Sequence, residues 1–217
     1  MWNSSDELTA DEKARLAAMT EDEKKESFWQ PLEFGTAGMR GIIDMGTNRM
    51  NRFTVRRATK GLADYITTLG AEAMNRGVVI ACDTRRFSKD FAVLSAKVLS
   101  AAGVKVFLYE DVRPVPMCSF AIRYTGAIAG IMITASHNPK VYNGYKVYWE
   151  DGAQITPPHD SGIMGEVKAI SDWNTVKTMD KAEAEKAGLF EVIGKEVDDA
   201  YMAELKKQVI HMDAIQA

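Results

Sequence analysis

Histidine is scarce in this chain, with three residues in 217, and cysteine is scarcer still, with two. Cys82 and Cys118 stand in apolar surroundings without metal-type spacing, which excludes a disulfide framework or a zinc finger; they read as reduced core cysteines of a cytoplasmic chain. No charge of one sign dominates. A formal net charge of −3 leaves no global basic field to recruit nucleic acid. Long apolar runs are absent too: the longest, 127–135, is far too short to span a bilayer. The polar, acid-rich start is no secretory signal, and there are no internal repeats or low-complexity linkers. What remains is ordinary globular composition, 46% hydrophobic and 26% charged, enough for one good-sized domain or a domain plus a fragment.

Charge is uneven locally. Residues 1–30 hold eight acids and four bases, whereas 31–60 hold two acids and six bases. Arg40, Arg49, Arg52, Arg56, Arg57 and Lys60 make the second stretch a candidate anion-facing region, the alternative being a solvated helix face. Two capping boxes, Thr9–Glu12 and Thr20–Glu23, predict two short helices in the first thirty residues, an arm that Phe28, Trp29 and Leu32 would pin down. The glycine-rich stretch 34–51 predicts strand and turn. Thr54 would then cap a helix over 55–69, with Gly70 as its stop.

Beyond it the pattern alternates. Apolar runs at 77–82, 104–110 and 127–135 predict strands; 88–103, with Ser88 as N-cap, and 114–126, opened by proline, predict helices. Short buried strands alternating with helices imply an α/β fold with a mostly parallel, mixed sheet. "GYKVYW" and "AQIT" around "EDG" predict a hairpin, a helix follows over 158–170, and 194–212 reads as an amphipathic helix with Val197, Tyr201, Leu205 and Val209 on one stripe.

In such sheets ligands bind outside the carboxyl ends of the strands. Three polar loops fall there: "DTRRFS" after 77–82, "RPVP" after 104–110, and "SHNP" after 127–135. Parallel strands would put Asp83, Arg85 and Ser136 on one rim. Ser136 as a hydrolase nucleophile would need a base in contact. His137 is its chain neighbour, and on an extended segment neighbours face opposite ways; the loop is no "GxSxG" elbow, and nothing places His159 or His211 nearby. A phosphoryl carrier suits the surroundings better, because phosphoserine wants basic donors, exposed backbone N–H groups and a divalent cation. Arg40, Lys146, His137 and Asn138 are the right chemical types. The bland alternative is a loop that these side chains merely cap and satisfy.

The stretch "TASHNPKVYNGYKVY" (134–148) resembles the active-site serine loop of the α-D-phosphohexomutases, the phosphoglucomutase/phosphomannomutase family. "FGTAGMRG" (34–41) and "CDTRRFS" (82–88) are similar to two further family segments, and the three occur in the expected order. "PLEFGTAGMRG" followed by "MNRFTVRRATKGLADYI" looks most like the phosphoglucomutase branch that includes phosphopentomutase-type members; Ala37 stands where the phosphoglucosamine branch has aspartate. One departure is Ala81, where many relatives carry glycine, which bears on the tightness of a turn.

The resemblance implies that Ser136 carries the transferable phosphoryl group and offers magnesium a phosphate oxygen. Arg40, His137, Asn138 and Lys146 would form the substrate and phosphate pocket, with Lys146 handling a proton or stabilising charge, while Asp83 and Arg85 support the loops. It implies a hexose phosphate substrate, a sugar 1,6-bisphosphate as primer, and two phosphoryl transfers. It also implies four domains and roughly twice this length. The family's run of three alternating aspartates followed by arginine is missing; "VDDA" (197–200) does not qualify. The expectation is therefore an N-terminal fragment: an arm (1–30), a first α/β domain (31–193), and a linker helix opening a truncated second domain (194–217), with the remaining domains as partners and no turnover alone. The competing class is a non-catalytic sugar-phosphate-binding module.

Overall fold

The computed structural model describes residues 2, 5–35 and 38–211; Thr36 and Ala37 of the "FGTAGMRG" segment lie outside them. Strand β1 (Met39–Ile42) precedes α3 (Arg52–Thr68), which follows two helices of the arm, α1 (Ala10–Ala18) and α2 (Glu21–Phe28). Then come α4 (Ala71–Arg76), β2 (Val78–Cys82), α5 (Ser88–Ala101), β3 (Val106–Tyr109), α6 (Val115–Thr125) and β4 (Ala129–Ile133). The order continues with β5 (Tyr142–Trp149), α7 (His159–Ala169), a short turn of helix (Trp173–Thr175), α8 (Lys181–Lys186), β6 (Phe190–Ile193) and α9 (Lys195–Lys207).

The six strands form one sheet in the order β1-β5-β4-β2-β3-β6. β4, β2, β3 and β6 are mutually parallel, and β5 runs antiparallel to both β4 and β1. This is the mostly parallel mixed sheet that the alternating pattern predicts. Successive side chains of a strand face opposite ways, and the core divides accordingly. Val78, Ile80, Ile131, Ile133, Tyr145 and Val147 meet Leu62, Ile66, Leu99 and Ile163 of α3, α5 and α7. Val79, Ala81, Phe107 and Met132 meet Cys118, Ala121 and Ile122 of α6, and Val197 of α9. β2 is buried along its whole length, and each fully buried aliphatic side chain contributes about 1.5–3 kcal/mol. Ala81 pairs with Met132 inside β2, so the position is strand and not turn.

Several boundaries differ from expectation for physical reasons. Asn51, not Thr54, caps α3: its side chain accepts the backbone N–H of Phe53 and Thr54 while the Thr54 hydroxyl takes the Asn51 N–H. Phe87 occupies the cap position of α5 in a left-handed conformation, making Ser88 the first helical residue. The second arm of the hairpin shrinks to a single bridge, Tyr148 with Gln154. Val197 is buried and Tyr201 packs edge-on to Phe120 at 5.4 Å, but Leu205 and Val209 leave the body and are exposed. α4, α8 and β6 carry too few residues for a periodic signal.

The acidic arm and the basic stretch answer each other. Arg49 pairs with Glu26, Arg52 with Glu12, Arg56 with Glu7, and Arg15 of α1 with Asp44. Arg57 donates to the Val167 carbonyl beside Trp173, and Lys60 pairs with Asp64 along its own helix. Of the six cations expected to face an anion, all but Arg40 are thus committed elsewhere. An aromatic cluster of Trp2, Phe53 and Trp173, with Phe28 against Trp2, fastens the arm. Leu32 packs on the main core, but Trp29 is exposed and pins nothing.

Candidate functional site

β2 and β4 are parallel neighbours, so the segments that leave their carboxyl ends, 83–87 and 134–141, meet at one edge. This brings Asp83, Arg85 and Ser136 onto a common rim. The third loop runs alongside, the Arg113 N–H donating to the Cys82 carbonyl at 3.0 Å, but the Arg113 side chain turns away toward α9 and forms a forked pair with Asp198, at 2.6 and 2.9 Å.

Arg85 organises the serine loop. Its Nη2 donates to the carbonyls of Ser136 (2.7 Å) and Asn138 (2.8 Å), and its Nη1 to those of Pro139 and Tyr142 (both 3.1 Å). Nε faces Asp83 Oδ2 at 3.3 Å. Four of the five N–H donors of the guanidinium thus lie on loop carbonyls, while Nε makes an ion-pair contact. Asp83 is itself held, its Oδ1 accepting the Arg85 backbone N–H and the Ser88 hydroxyl, both at 2.9 Å.

Ser136 is exposed at the tip of this loop with φ at 55°, a left-handed conformation for a residue with a side chain. Such a conformation costs about 1–3 kcal/mol and persists only where surroundings impose it. Here the Thr134 hydroxyl accepts the Ser136 N–H at 2.9 Å, and Arg85 holds the Ser136 carbonyl. The left-handed turn also overrides the expectation that Ser136 and His137 face apart: Ser136 Oγ lies 3.3 Å from His137 Nδ1. A hydrolase would still need a carboxylate to orient that imidazole, and the nearby Asp83 is committed to Arg85 and Ser88. His159 offers no alternative base. It stacks on Trp149 and meets the Tyr65 hydroxyl at 2.9 Å, and Trp149 pairs with Ala129 at the opposite end of β4.

Two cations stand beside the loop. Arg40 on β1 lies opposite Gly144 on β5, and Lys146 follows two residues later opposite Met132, so both project from the sheet face that carries α6. Arg40 Nη1 donates to Asn138 Oδ1 at 2.6 Å. Lys146 is half-buried, and desolvation, then the nearby Arg40 charge, holds its pKa below the ordinary lysine value. Two glycines allow this crowding. A Cβ on Gly38, whose φ is +88°, would lie 1.9 Å from the Tyr145 carbonyl oxygen, and one on Gly144 would lie 2.5 Å from that of Thr134.

Sequence reasoning read Ser88 only as a helix cap and as the end of the "CDTRRFS" match, and did not propose Thr134 or Asn143 as site residues. Asn143 is wholly buried, and its amide bonds to the Ser88 hydroxyl and the Arg86 carbonyl, both at 3.0 Å. The available signal was the Asn-Gly pair inside a strand, since glycine there marks a close backbone approach. Among the described residues, no group of three or more His, Cys, Asp or Glu side chains gathers where a metal ion could be held. The described residues do not by themselves fit a magnesium site. Nor is any described helix long and apolar enough to cross a membrane.

Residues 31–173 match the family model for the phosphoglucomutase/phosphomannomutase α/β/α domain I. The chain is 34% identical to human phosphopentomutase over 97% of its length and 35% of that protein's. It is 48% identical to a phosphoglucomutase of Staphylococcus epidermidis over 63% of its own length and 24% of the relative's. A solved Thermus thermophilus structure, provisionally assigned as a phosphomannomutase, superposes with a TM-score of 0.67 at 28% identity, over 83% of this chain and 36% of that one. The chain thus spans about a third of the length of human phosphopentomutase, a larger shortfall than the half expected.

Proposed function

The chain belongs to the phosphoglucomutase/phosphomannomutase family, and from that premise we propose that it supplies the phosphoryl-carrying serine of a sugar-phosphate mutase. The observation that carries the reading is Ser136 itself. An exposed hydroxyl sits on a loop whose backbone is fixed from within by Arg85 and whose Asn138 is held by Arg40, with Lys146 on the same sheet face as Arg40. Among the described residues no carboxylate is bonded to His137 to complete a hydrolytic triad.

In the proposed cycle, phospho-Ser136 gives its phosphoryl group to a hydroxyl of a hexose 1-phosphate. The P–Oγ bond breaks, a P–O bond to the sugar forms, and the hydroxyl proton leaves to a base while the serine oxygen is reprotonated. The resulting 1,6-bisphosphate turns over and returns its other phosphoryl group to Ser136, leaving the 6-phosphate. Transfer of this kind depends chiefly on positioning and on electrostatic stabilisation of the phosphoryl oxygens. Arg40 and His137 are suited to the phosphate, and Asn138 to holding Arg40. Lys146, with its lowered pKa, is suited to accepting the proton. Magnesium, if bound, would screen the phosphoryl charge, with a Ser136 phosphate oxygen as the one ligand from these residues and the others from outside them. Asp83 and Arg85 act as supports.

Because the chain matches a third of human phosphopentomutase, we propose that it works joined to further domains of one polypeptide and that the 217 residues alone do not turn over. A pentose phosphate substrate is the second reading, favoured by the likeness to human phosphopentomutase along nearly the whole chain. The test is phosphopeptide mapping of the natural full-length protein after exposure to glucose 1,6-bisphosphate, followed by assays with glucose 1-phosphate and ribose 1-phosphate. Phosphate on the peptide containing Ser136, and loss of activity in Ser136→Ala, are expected. A bare Ser136 in an active protein would refute the reading, and mutase turnover by the 217-residue chain would refute its dependence on further domains.

A further inference from the structure

We infer that Ser88 and Asn143 are positioning residues for phosphoryl transfer at Ser136, acting through Asp83 and Arg85; the inference rests on the function proposed above. Both side chains are wholly buried, a costly place for a hydroxyl and a carboxamide unless each polar atom is used. Each is used. Asn143 Oδ1 accepts the Gly144 N–H at 2.8 Å, and its amide donates to the Arg86 carbonyl and to Ser88 Oγ, both at 3.0 Å. The amide orientation is therefore fixed, and Ser88 Oγ is an acceptor toward Asn143. The single hydroxyl hydrogen of Ser88 is left for Asp83 Oδ1, at 2.9 Å.

Asp83 in turn aligns Arg85, through its backbone N–H and its Nε, and the guanidinium places its other four hydrogens on carbonyls of the serine loop. The relay thus runs from β5 through the first residue of α5 and the loop after β2 to the backbone of Ser136. A satisfied buried network of this kind has one arrangement rather than several. Ser136 needs that, since a left-handed serine is held only by what surrounds it. The relay reaches the reacting hydroxyl through the backbone alone. Its loss would therefore be felt in the rate of transfer more than in the binding of sugar.

The test uses the natural full-length chain and glucose 1,6-bisphosphate as phosphoryl donor. Transfer to Ser136 is followed in a single turnover by intact mass, with the KM for glucose 1-phosphate and a thermal melt measured alongside. Misplacing a reacting group by about an ångström costs roughly 10²-fold, so Ser88→Ala is expected to slow transfer about 10- to 100-fold, with KM changed less than about twofold. Ser88→Thr, which keeps the hydroxyl, restores most of the rate. Arg85→Lys cannot hold four carbonyls, and in that background Ser88→Ala is expected to cost less than about threefold more, because contacting residues of one network are not additive. Full additivity, or a lower melting temperature with an unchanged rate per folded molecule, would overturn the inference. Should Ser88→Ala not fold, Asp83→Asn removes the charge that aligns Arg85 without changing shape; it must reproduce the loss of rate at unchanged KM, and a normal rate would overturn the relay. Failure of the underlying functional reading looks different: the unmodified chain takes up no phosphate on Ser136, and both conclusions fall. A phosphorylated wild type with a fast Ser88→Ala variant overturns the relay alone.

Discussion

Replacing Gly144 by alanine tests how closely the serine loop depends on the backbone beneath it. The new Cβ would lie 2.5 Å from the Thr134 carbonyl oxygen and 3.1 Å from that of Met39, both backbone atoms with no rotamer to escape into. Ordinary contact at about 3.4 Å would require Thr134 or β5 to give by roughly 0.9 Å. Thr134 is bonded to this site twice: its N–H donates to the Gly144 carbonyl at 3.0 Å, and its hydroxyl accepts the Ser136 N–H at 2.9 Å. A shift there is carried directly to Ser136. Overpacking of this kind costs about 1–3 kcal/mol, and a displacement near an ångström slows transfer roughly 10²-fold. Gly165 in α7 is the control, because a Cβ there meets nothing within 4 Å; Gly165→Ala is expected to stabilise by about 0.5–1 kcal/mol. Urea unfolding of both variants measures the stability term, and single-turnover transfer to Ser136 in the full-length protein measures the rate. A Gly144→Ala variant that unfolds at the wild-type midpoint and transfers at the wild-type rate would refute the argument.

Burial pushes the Cys82 thiol up to about 11 and the Cys118 thiol up to about 12. Neither should react with iodoacetamide at about pH 8 in the folded chain, and both should react in urea; fast native labelling of Cys118 would contradict its burial. Desolvation and then Arg40 favour the neutral amine of Lys146, so an activity limb due to its deprotonation should lie at lower pH than for a free lysine. Lys146→Arg should remove that limb from the pH–rate profile; its persistence would assign the proton to another group. Trp173 is 8% exposed and joins Trp2 to Phe53, so Trp173→Ala should cost about 3 kcal/mol by chemical denaturation. It should also speed tryptic cleavage of the arm, and unchanged cleavage would mean that the ion pairs hold the arm without the aromatic cluster.

The helices of the arm were legible because a capping box is a local device, complete within four residues, and both boxes form as read. The alternation of buried strands with helices was legible too, since β2 and β4 are apolar on both faces and only a covered parallel sheet has use for that. The four residues of β6 gave no such signal. Its place is set by pairing with β3, a contact between segments far apart in the chain.

For the site, the sequence determined the chemical types: a serine after a buried strand, cations within reach, and an acid and an arginine on the neighbouring loop. The tertiary structure decided what each does. It spends Arg49, Arg52 and Arg56 on the acidic arm, because opposite charges far apart in sequence become neighbours on folding. It turns Ser136 toward His137 by a left-handed backbone that no local preference favours. It also makes Ser88, read from the sequence only as a cap, and Asn143 the buried footing of the loop. Local periodicity and capping report on bonds made within a few residues; the geometry of this rim is made of bonds between segments distant in the chain, which only the folded sheet brings within reach.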